Sequence, residues 1–259
     1  MKEVYAVLTL AYRDLLKLLR DPARLISSLM FPLLFILILG GSLQGSFGGD
    51  SNFNYIAYVF TGVFAQTLFQ SASMGVISLI DDRENDFSQE VFVSPISRYS
   101  IILGKIIGET LVAMVQAFGV LAFGFMAGVR FSFGQLIGLG WTGIVTCLFG
   151  AAFGVIILSN LNNRRTADQV FPYIMLPQFF LAGVFNPIQS LPWYLDFLSR
   201  ISPMRYAVDL TRDIFYLGRT DYVHAVLQGP VYNLALMTAG FLLFLVIGTF
   251  MFVRKEQNR

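Results

Sequence analysis

Six stretches of this chain are apolar over lengths that reach across a bilayer: Leu25–Leu43, Tyr55–Ile80, Ile101–Gly128, Gln135–Ser159, Val170–Ile188 and Val231–Val253. A hydrocarbon core of ~30 Å needs roughly 20 helical residues, and a helix satisfies its backbone donors and acceptors internally. The pattern predicts an all-α integral membrane protein with six transmembrane helices. It is read as a single transmembrane domain over 1–259, without an internal repeat. Composition agrees, because only 13% of residues are charged, about half the share of a soluble domain.

Sidedness follows from Lys and Arg, which favour cytoplasmic flanks. With the N-terminus inside, 13 of the 18 basic residues fall on the cytoplasmic side and 5 outside. Six spans then leave both termini cytoplasmic in a multi-pass protein of the cell (plasma or inner) membrane. No cleavable leader is read, because the first apolar run follows a charged stretch and lacks a small-residue cleavage site. The single cysteine, Cys147, lies within the fourth span and is expected to pack as a small apolar residue.

The segment 1–24 reads as an amphipathic helix lying in the cytoplasmic interface. Val4, Val7, Leu8, Ala11, Tyr12, Leu15, Leu18 and Leu19 share one side of the wheel, and Arg13, Asp14, Lys17 and Arg20 the other. Leu10 alone breaks the division. Simple anchoring to membrane lipid and a part in gating fit this pattern equally. Pro32 in the first span, and Pro172 with Pro177 in the fifth, each remove a backbone donor and should loosen their helices. Glycines recur in spans three and four, where they would let helix backbones approach closely.

The segment 189–230 is too apolar for a plain loop and too charged for an ordinary span. It predicts a re-entrant outer hairpin of two short helices, about Pro192–Ile201 and Met204–Leu217, at the outer leaflet between spans 5 and 6. Trp193, Tyr194, Tyr206 and Tyr216 would sit at the interface. A seventh span over Trp193–Leu217 would bury Arg200, Arg205, Asp209, Arg212 and Asp213, at ~2.5–3.5 kcal/mol per central charge.

Chemistry of its own is hard to assign to this chain. Gly104-Lys105 is followed by Ile106, so no phosphate-binding loop is present. The one histidine, His224, has no ligand partner at helical spacing and reads as a surface residue, so catalytic, cofactor and metal residues are all expected to be absent. Glu109, a turn after Lys105, is the sole acidic residue in the predicted membrane core. It is read either as a proton-coupling carboxylate or, more simply, as a helix-end charge screened by its i,i+4 lysine. Energy must then come from another subunit, and the loop 81–100 offers a place for it. Its polar part, with Asp81, Asp82, Glu84, Asp86 and Glu90 against Arg83 and Arg98, is acidic, which suits a protein partner better than anionic lipid.

Two stretches carry a family resemblance. Glu90-Val91-Phe92-Val93-Ser94-Pro95-Ile96-Ser97-Arg98-Tyr99 leads into Gly104-Lys105; Phe179 to Pro187 is followed by Leu191-Pro192 and Ser202-Pro203-Met204-Arg205-Tyr206. In this order the chain resembles the permease subunits of the type-2 class of ATP-binding-cassette exporters over essentially its whole length. Ala182 stands where such permeases usually have Ser or Thr. The resemblance implies a separate nucleotide-binding ATPase, which would hold ATP and Mg, and a second permease copy in a 2:2 homodimeric complex. It implies a cytoplasmic coupling loop over 81–100 that docks on the ATPase through Glu84, Asp86, Glu90, Pro95 and Arg98. The interface helix, with Arg13, Lys17 and Arg20, would pack beside it. It also implies a translocation path lined by Gln66, Phe69, Gln70, Gln178 and Phe179. The expected cargo of such a multidrug efflux permease is a hydrophobic or amphiphilic, drug-like compound, favoured by abundant Phe and no charged lumen. Export of a lipid-linked polysaccharide remains open, as does a non-transporting scaffold that recruits a cytoplasmic protein; a nucleic-acid partner is not expected.

Overall fold

The computed structural model describes residues 2–47, 53–80, 97–161 and 163–257. Its helices are α1 (Lys2–Leu19), α2 (Pro22–Phe35), α3 (Gly41–Phe47), α4 (Tyr55–Ile77), α5 (Arg98–Met126), α6 (Phe133–Asn160), α7 (Arg164–Leu181), α8 (Trp193–Ile201), α9 (Pro203–Tyr216), α10 (Tyr222–Ala225) and α11 (Pro230–Gln257). No strand occurs among the described residues. Local chemistry sets where several helices begin. The side chains of Asp21, Asn54, Ser97 and Asn163 each accept an otherwise unpaired backbone N–H of the first turn. Ser132 and Gln135 close a reciprocal capping box at the start of α6.

Among the described residues, four helical segments are long and apolar enough to cross a membrane by length and composition: Pro22–Ser46, Tyr99–Met126, Phe133–Asn160 and Tyr222–Arg254. The other two predicted spans differ for reasons visible in their residues. α4 is diluted by Thr61, Gln66, Thr67, Gln70, Ser71 and Ser73. α7 is only 18 residues long and starts with Arg164, Arg165 and, in its second turn, Asp168.

α4 is the centre of the bundle. It packs most extensively on α6 and α5 and is also covered by α9, while α11 lies against α6 and α1 against α5. The α4–α6 contact is backbone on backbone: a Cβ on Gly150 would come within 2.5 Å of the Phe69 carbonyl, and one on Gly154 within 2.4 Å of the Ser73 carbonyl. The Ser73 hydroxyl lies 2.7 Å from the Gly150 carbonyl oxygen, a hydrogen bond between helices of the kind that glues bundles in lipid. Cys147 is buried in the same packing, as expected.

Polarity is distributed as in a protein whose solvent is lipid. Leu37, Ile38, Phe118, Phe125, Val246 and Phe250 face outward, whereas Gln66, Lys105, Glu109, Gln116, Asp209 and Arg212 are buried.

Pro32 has the expected consequence. It is buried inside α2, and a π-helical turn, Ile36–Gly40, follows it before the chain resumes in α3. Proline removes one i→i−4 hydrogen bond and crowds the preceding carbonyl, which a wider turn can absorb.

α1 is a three-faced helix, not a two-faced one. Val4, Tyr5, Leu8, Tyr12 and Leu19 are exposed as an apolar stripe, and Lys17 and Arg20 are exposed as well. The third face lies on α5. Leu10, the residue that broke the two-way division, packs there with Val7, Ala11 and Asp14 on Gly104 and Gly108.

The segment 189–230 forms two helices close to the expected bounds, α8 and α9, and His224 is exposed beyond them. The interfacial placement of its aromatics needs correction. Trp193 and Tyr194 are exposed, but Tyr216 is fully buried, with Phe215 and Phe53 against its ring. The reason is that α9 is drawn into the bundle against α4, α6 and α11, because its charges find partners there.

Candidate functional site

Two polar assemblies stand out inside this apolar bundle. The first is built on α9. Arg212, 1% exposed, lays its guanidinium over the Tyr58 ring at 3.7 Å and donates to the carbonyls of Gly183 at 2.7 Å and Val184 at 3.2 Å. Those carbonyls are available because α7 ends at Gly183 in a left-handed turn (φ +69°), which glycine adopts at no steric cost. On the next turn of α9, Asp209 accepts from the backbone N–H groups of Leu227 and Gln228 and from Asn233 Nδ2, at 2.7–2.8 Å. Asp213 accepts from the Tyr222 hydroxyl. Arg212, Asp209 and Asp213, among the charges that argued against a seventh span, thus find partners inside the bundle, and they tie the α7 end, the segment after α9 and α11 into one block.

A clasp within the hairpin joins α8 to α9: Asp196 accepts from Arg200 at 2.9 Å and Arg205 at 3.2 Å. The Arg205 hydrogen bond, aided by Arg200, holds the Asp196 carboxyl below the ordinary carboxylate range. Its folded value is lowered, so its contribution is present at neutral pH and is lost as pH falls through that lowered value. Protection of the α8 amides, corrected for the intrinsic pH dependence of exchange, should fall over that acidic window in the wild type. In Asp196→Asn it should already be low at neutral pH and show no such step.

The second assembly lies between α2, α4 and α5. It begins with a buried ion triad: Lys105 Nζ is 2.9 Å from Asp14 Oδ2 on α1 and 2.8 Å from Glu109 Oε1 one turn along α5. Arg13 holds the other oxygen of Asp14 at 2.9 Å. Glu109 Oε1 is therefore paired, but its Oε2 has no hydrogen-bond partner. The carboxylate lies so close to α4 that a Cβ on Gly75 would be 2.0 Å from Oε2; only glycine leaves room there.

Beside Glu109 opens a cavity of about 400 Å³, walled by Gln66, Thr67, Gln70 and Gly75 of α4, Glu109 and Gln116 of α5, and Ser27, Ser28 and Phe31 of α2. Gln66 Oε1, like Glu109 Oε2, is buried without a donor. The wall carries charge of both signs, the Glu109 carboxylate and the exposed Arg24.

The predicted path residues divide. Gln66 and Gln70 share a face of α4 and line the cavity together. Phe69 is wholly enclosed between Phe149 and Phe153. Phe179 is buried with its ring 6.5 Å from Phe31. Gln178 instead ties α7 to the hairpin, its Oε1 lying 3.4 Å from the Ser202 hydroxyl and the Met204 N–H. Of the interface-helix residues, Arg13 pairs with Asp14, while Lys17 and Arg20 face outward. Glu84, Asp86, Glu90 and Pro95 lie outside the described residues, as does the side chain of Arg98, whose backbone opens α5. The described end of that loop is tied to α1, because the Ser97 N–H lies 3.2 Å from both carboxylate oxygens of Glu3.

Gln116, Ser27, Ser28 and Asp14 were not singled out from the sequence. Gln116 stands seven residues after Glu109, two helical turns on the same face, and this spacing was a usable signal. Asp14 read as one more polar-face residue because nothing local reveals that α1 packs on Lys105.

Known proteins place this architecture. The chain is 24% identical over 216 residues to the putative transport permease ycf38 of Cyanophora paradoxa, covering 82% of this chain and 74% of that protein. It is 30% identical over 139 residues to the probable multidrug ABC transporter permease YbhR of Escherichia coli K12, covering 54% of this chain and 38% of YbhR. It is 22% identical over 220 residues to the daunorubicin resistance ABC transporter permease protein DrrB1 of Streptomyces coeruleorubidus, covering 82% and 76%. The sequence profile of ABC-2 type transporters matches residues 5–216, an interval that holds the interface helix, the ion triad, the cavity and most of the hairpin: this multi-pass membrane protein belongs to the ABC-2 type transporter family.

Proposed function

We propose that this chain is the membrane-spanning permease subunit of an ATP-driven exporter for an amphiphilic compound, and that a separate ATPase binds ATP and Mg. The observation that carries this reading is the cavity at Gln66, Gln70 and Glu109, an open, partly polar cleft of about 400 Å³ among helices whose outer faces are apolar. Such a cleft in a lipid-facing bundle marks a place where a solute can leave water. In this reading the six apolar stretches all cross the membrane, both termini are cytoplasmic, and 189–230 is a re-entrant outer hairpin. The α2 segment, Pro22–Ser46, has only 17% of its apolar window buried within the chain, which supports a second permease copy against it.

Energy enters through the loop 81–100. Glu84, Asp86, Glu90, Pro95 and Arg98 dock on the ATPase, and the attachment of Ser97 to Glu3 makes α1 move with the loop. Through Asp14 and Lys105 that movement reaches Glu109 and the cavity wall. Nucleotide binding by the ATPase shifts the permease between states by differential affinity for them. Double charge reversal, Glu84→Lys with Glu90→Lys, should reduce co-purification of the ATPase by about tenfold or more, because like charges then oppose at a docking surface. Membrane insertion should be unchanged. Undiminished association would place the docking surface elsewhere.

A further inference from the structure

The geometry points to an organic ammonium ion as the occupant of the α2–α4–α5 cavity, with its charged nitrogen on Glu109 Oε2 and a second donor on Gln66 Oε1. This deepens the exporter reading and rests on it. The cavity wall presents two buried oxygens that lack donors, Glu109 Oε2 and Gln66 Oε1, on residues 3% and 1% exposed. A buried acceptor left unpaired costs free energy, more so when it is charged. A ligand with N–H groups satisfies both; one that carries only acceptors satisfies neither.

Lys105 cannot complete Glu109 by itself, since its Nζ is held between Asp14 Oδ2 and Glu109 Oε1. A bare metal ion fits poorly, because no cluster of three His, Cys, Asp or Glu side chains stands among the described residues. The cavity wall also includes Phe31 and Met74, which suit a carbon skeleton, and the exposed Arg24, a like charge that the ammonium has to avoid. Its long axis is set by α4: Gly75, beside the carboxylate, is nine residues beyond Gln66, which is roughly 13 Å at about 1.5 Å per residue. The occupant is thus elongated, with an ammonium at the Glu109 end and a weaker donor toward the amide end at Gln66 and Gln116.

Dansylcadaverine has this form, an alkyl ammonium joined to an aromatic sulfonamide N–H, and its N-acetyl derivative removes the charge, keeps one N–H and adds a small acetyl group whose effect Glu109→Gln controls for. Fluorescence anisotropy of both probes with the full chain in phosphatidylcholine nanodiscs reads the site directly. The amine should bind about ten- to a hundredfold more tightly than the acetylated probe, the range for a hydrogen bond to a charged group. Glu109→Gln should abolish most of that preference. Gln66→Leu should weaken both probes alike, by roughly threefold to tenfold, and keep the preference.

Equal affinity of the two probes for the wild type overturns the proposal without any variant, so a misfolded Glu109→Gln protein cannot shield it. A preference that survives in folded Glu109→Gln overturns it as well. Phosphatidylethanolamine added to the discs separates two sources of the same chemistry: competition assigns the site to a lipid headgroup, its absence to a dissolved amine, and either outcome upholds ammonium recognition. Binding is read without nucleotide. A chain that prefers the amine but recruits no ATPase would refute the exporter reading and leave the site standing; ATPase recruitment without amine preference would do the reverse.

Discussion

Lys105→Met should release α1 from the bundle. The substitution keeps the side chain's bulk and removes the cation between Asp14 and Glu109, whose carboxylates are then buried with their shared partner gone. Breaking a buried pair in this way costs about 3–5 kcal/mol. Roughly 2–4 °C per kcal/mol for a domain of this size translates that into a thermal midpoint lower by roughly 6–20 °C in mild detergent. Protease should cut α1 faster in the variant. Neutralising the whole triad, Lys105→Met with Asp14→Asn and Glu109→Gln, should recover a large part of the loss, because the penalty lies in uncompensated charge. If the single variant melts with the wild type, the triad does not hold α1 to α5.

Arg212→Met is expected to be equally damaging at the other end of the bundle. It leaves the Val184 carbonyl without its donor and the Gly183 carbonyl with only the Tyr58 hydroxyl at 3.4 Å, and it strips the cation from the face of Tyr58. The expected cost is about 2–5 kcal/mol, from the orphaned buried acceptor and the lost cation–π contact. Arg212→Lys should restore little, because an ammonium lacks the planar fork that stacks on tyrosine while donating to two carbonyls. Gly62 reports on the same junction, since a Cβ there would come within 2.2 Å of the Val184 carbonyl oxygen. A full-strength Arg212→Lys protein would mean that charge alone, not stacking and shape, holds the α7 end to α9.

Much of this architecture was legible in the residues because lipid simplifies the code. Long apolar runs and the Pro32 interruption each act locally, and each has a matching feature in the fold. The two hairpin helices were readable from Pro192, Pro203 and the spacing of charges. Features set by long-range packing were not. The burial of Tyr216 depends on α9 being drawn inward by the partners of Asp209 and Arg212, which lie on α11, the loop before it and the α7 end. The third face of α1 was announced only by Leu10, and its meaning required Gly104 and Gly108 to be seen beside it.

The candidate site followed the same division. Gln66 and Gln70 were found as an i,i+4 amide pair on one face, and Glu109 with Lys105 as an i,i+4 ion pair. Asp14, which completes the triad from 91 residues away, could not be paired with them from periodicity. Phe69 and Phe179 were indistinguishable from other phenylalanines by sequence. The structure puts both outside the cavity wall, in packing that α6 and α2 supply.

The central claim is that this chain is the permease half of a machine whose motor is another polypeptide. Native mass spectrometry of the complex, extracted from its own membranes in mild detergent, tests it most directly. The account predicts two copies of this chain with two copies of a nucleotide-binding ATPase. Recovery of the chain without any ATPase, under conditions that keep other membrane complexes whole, would contradict it.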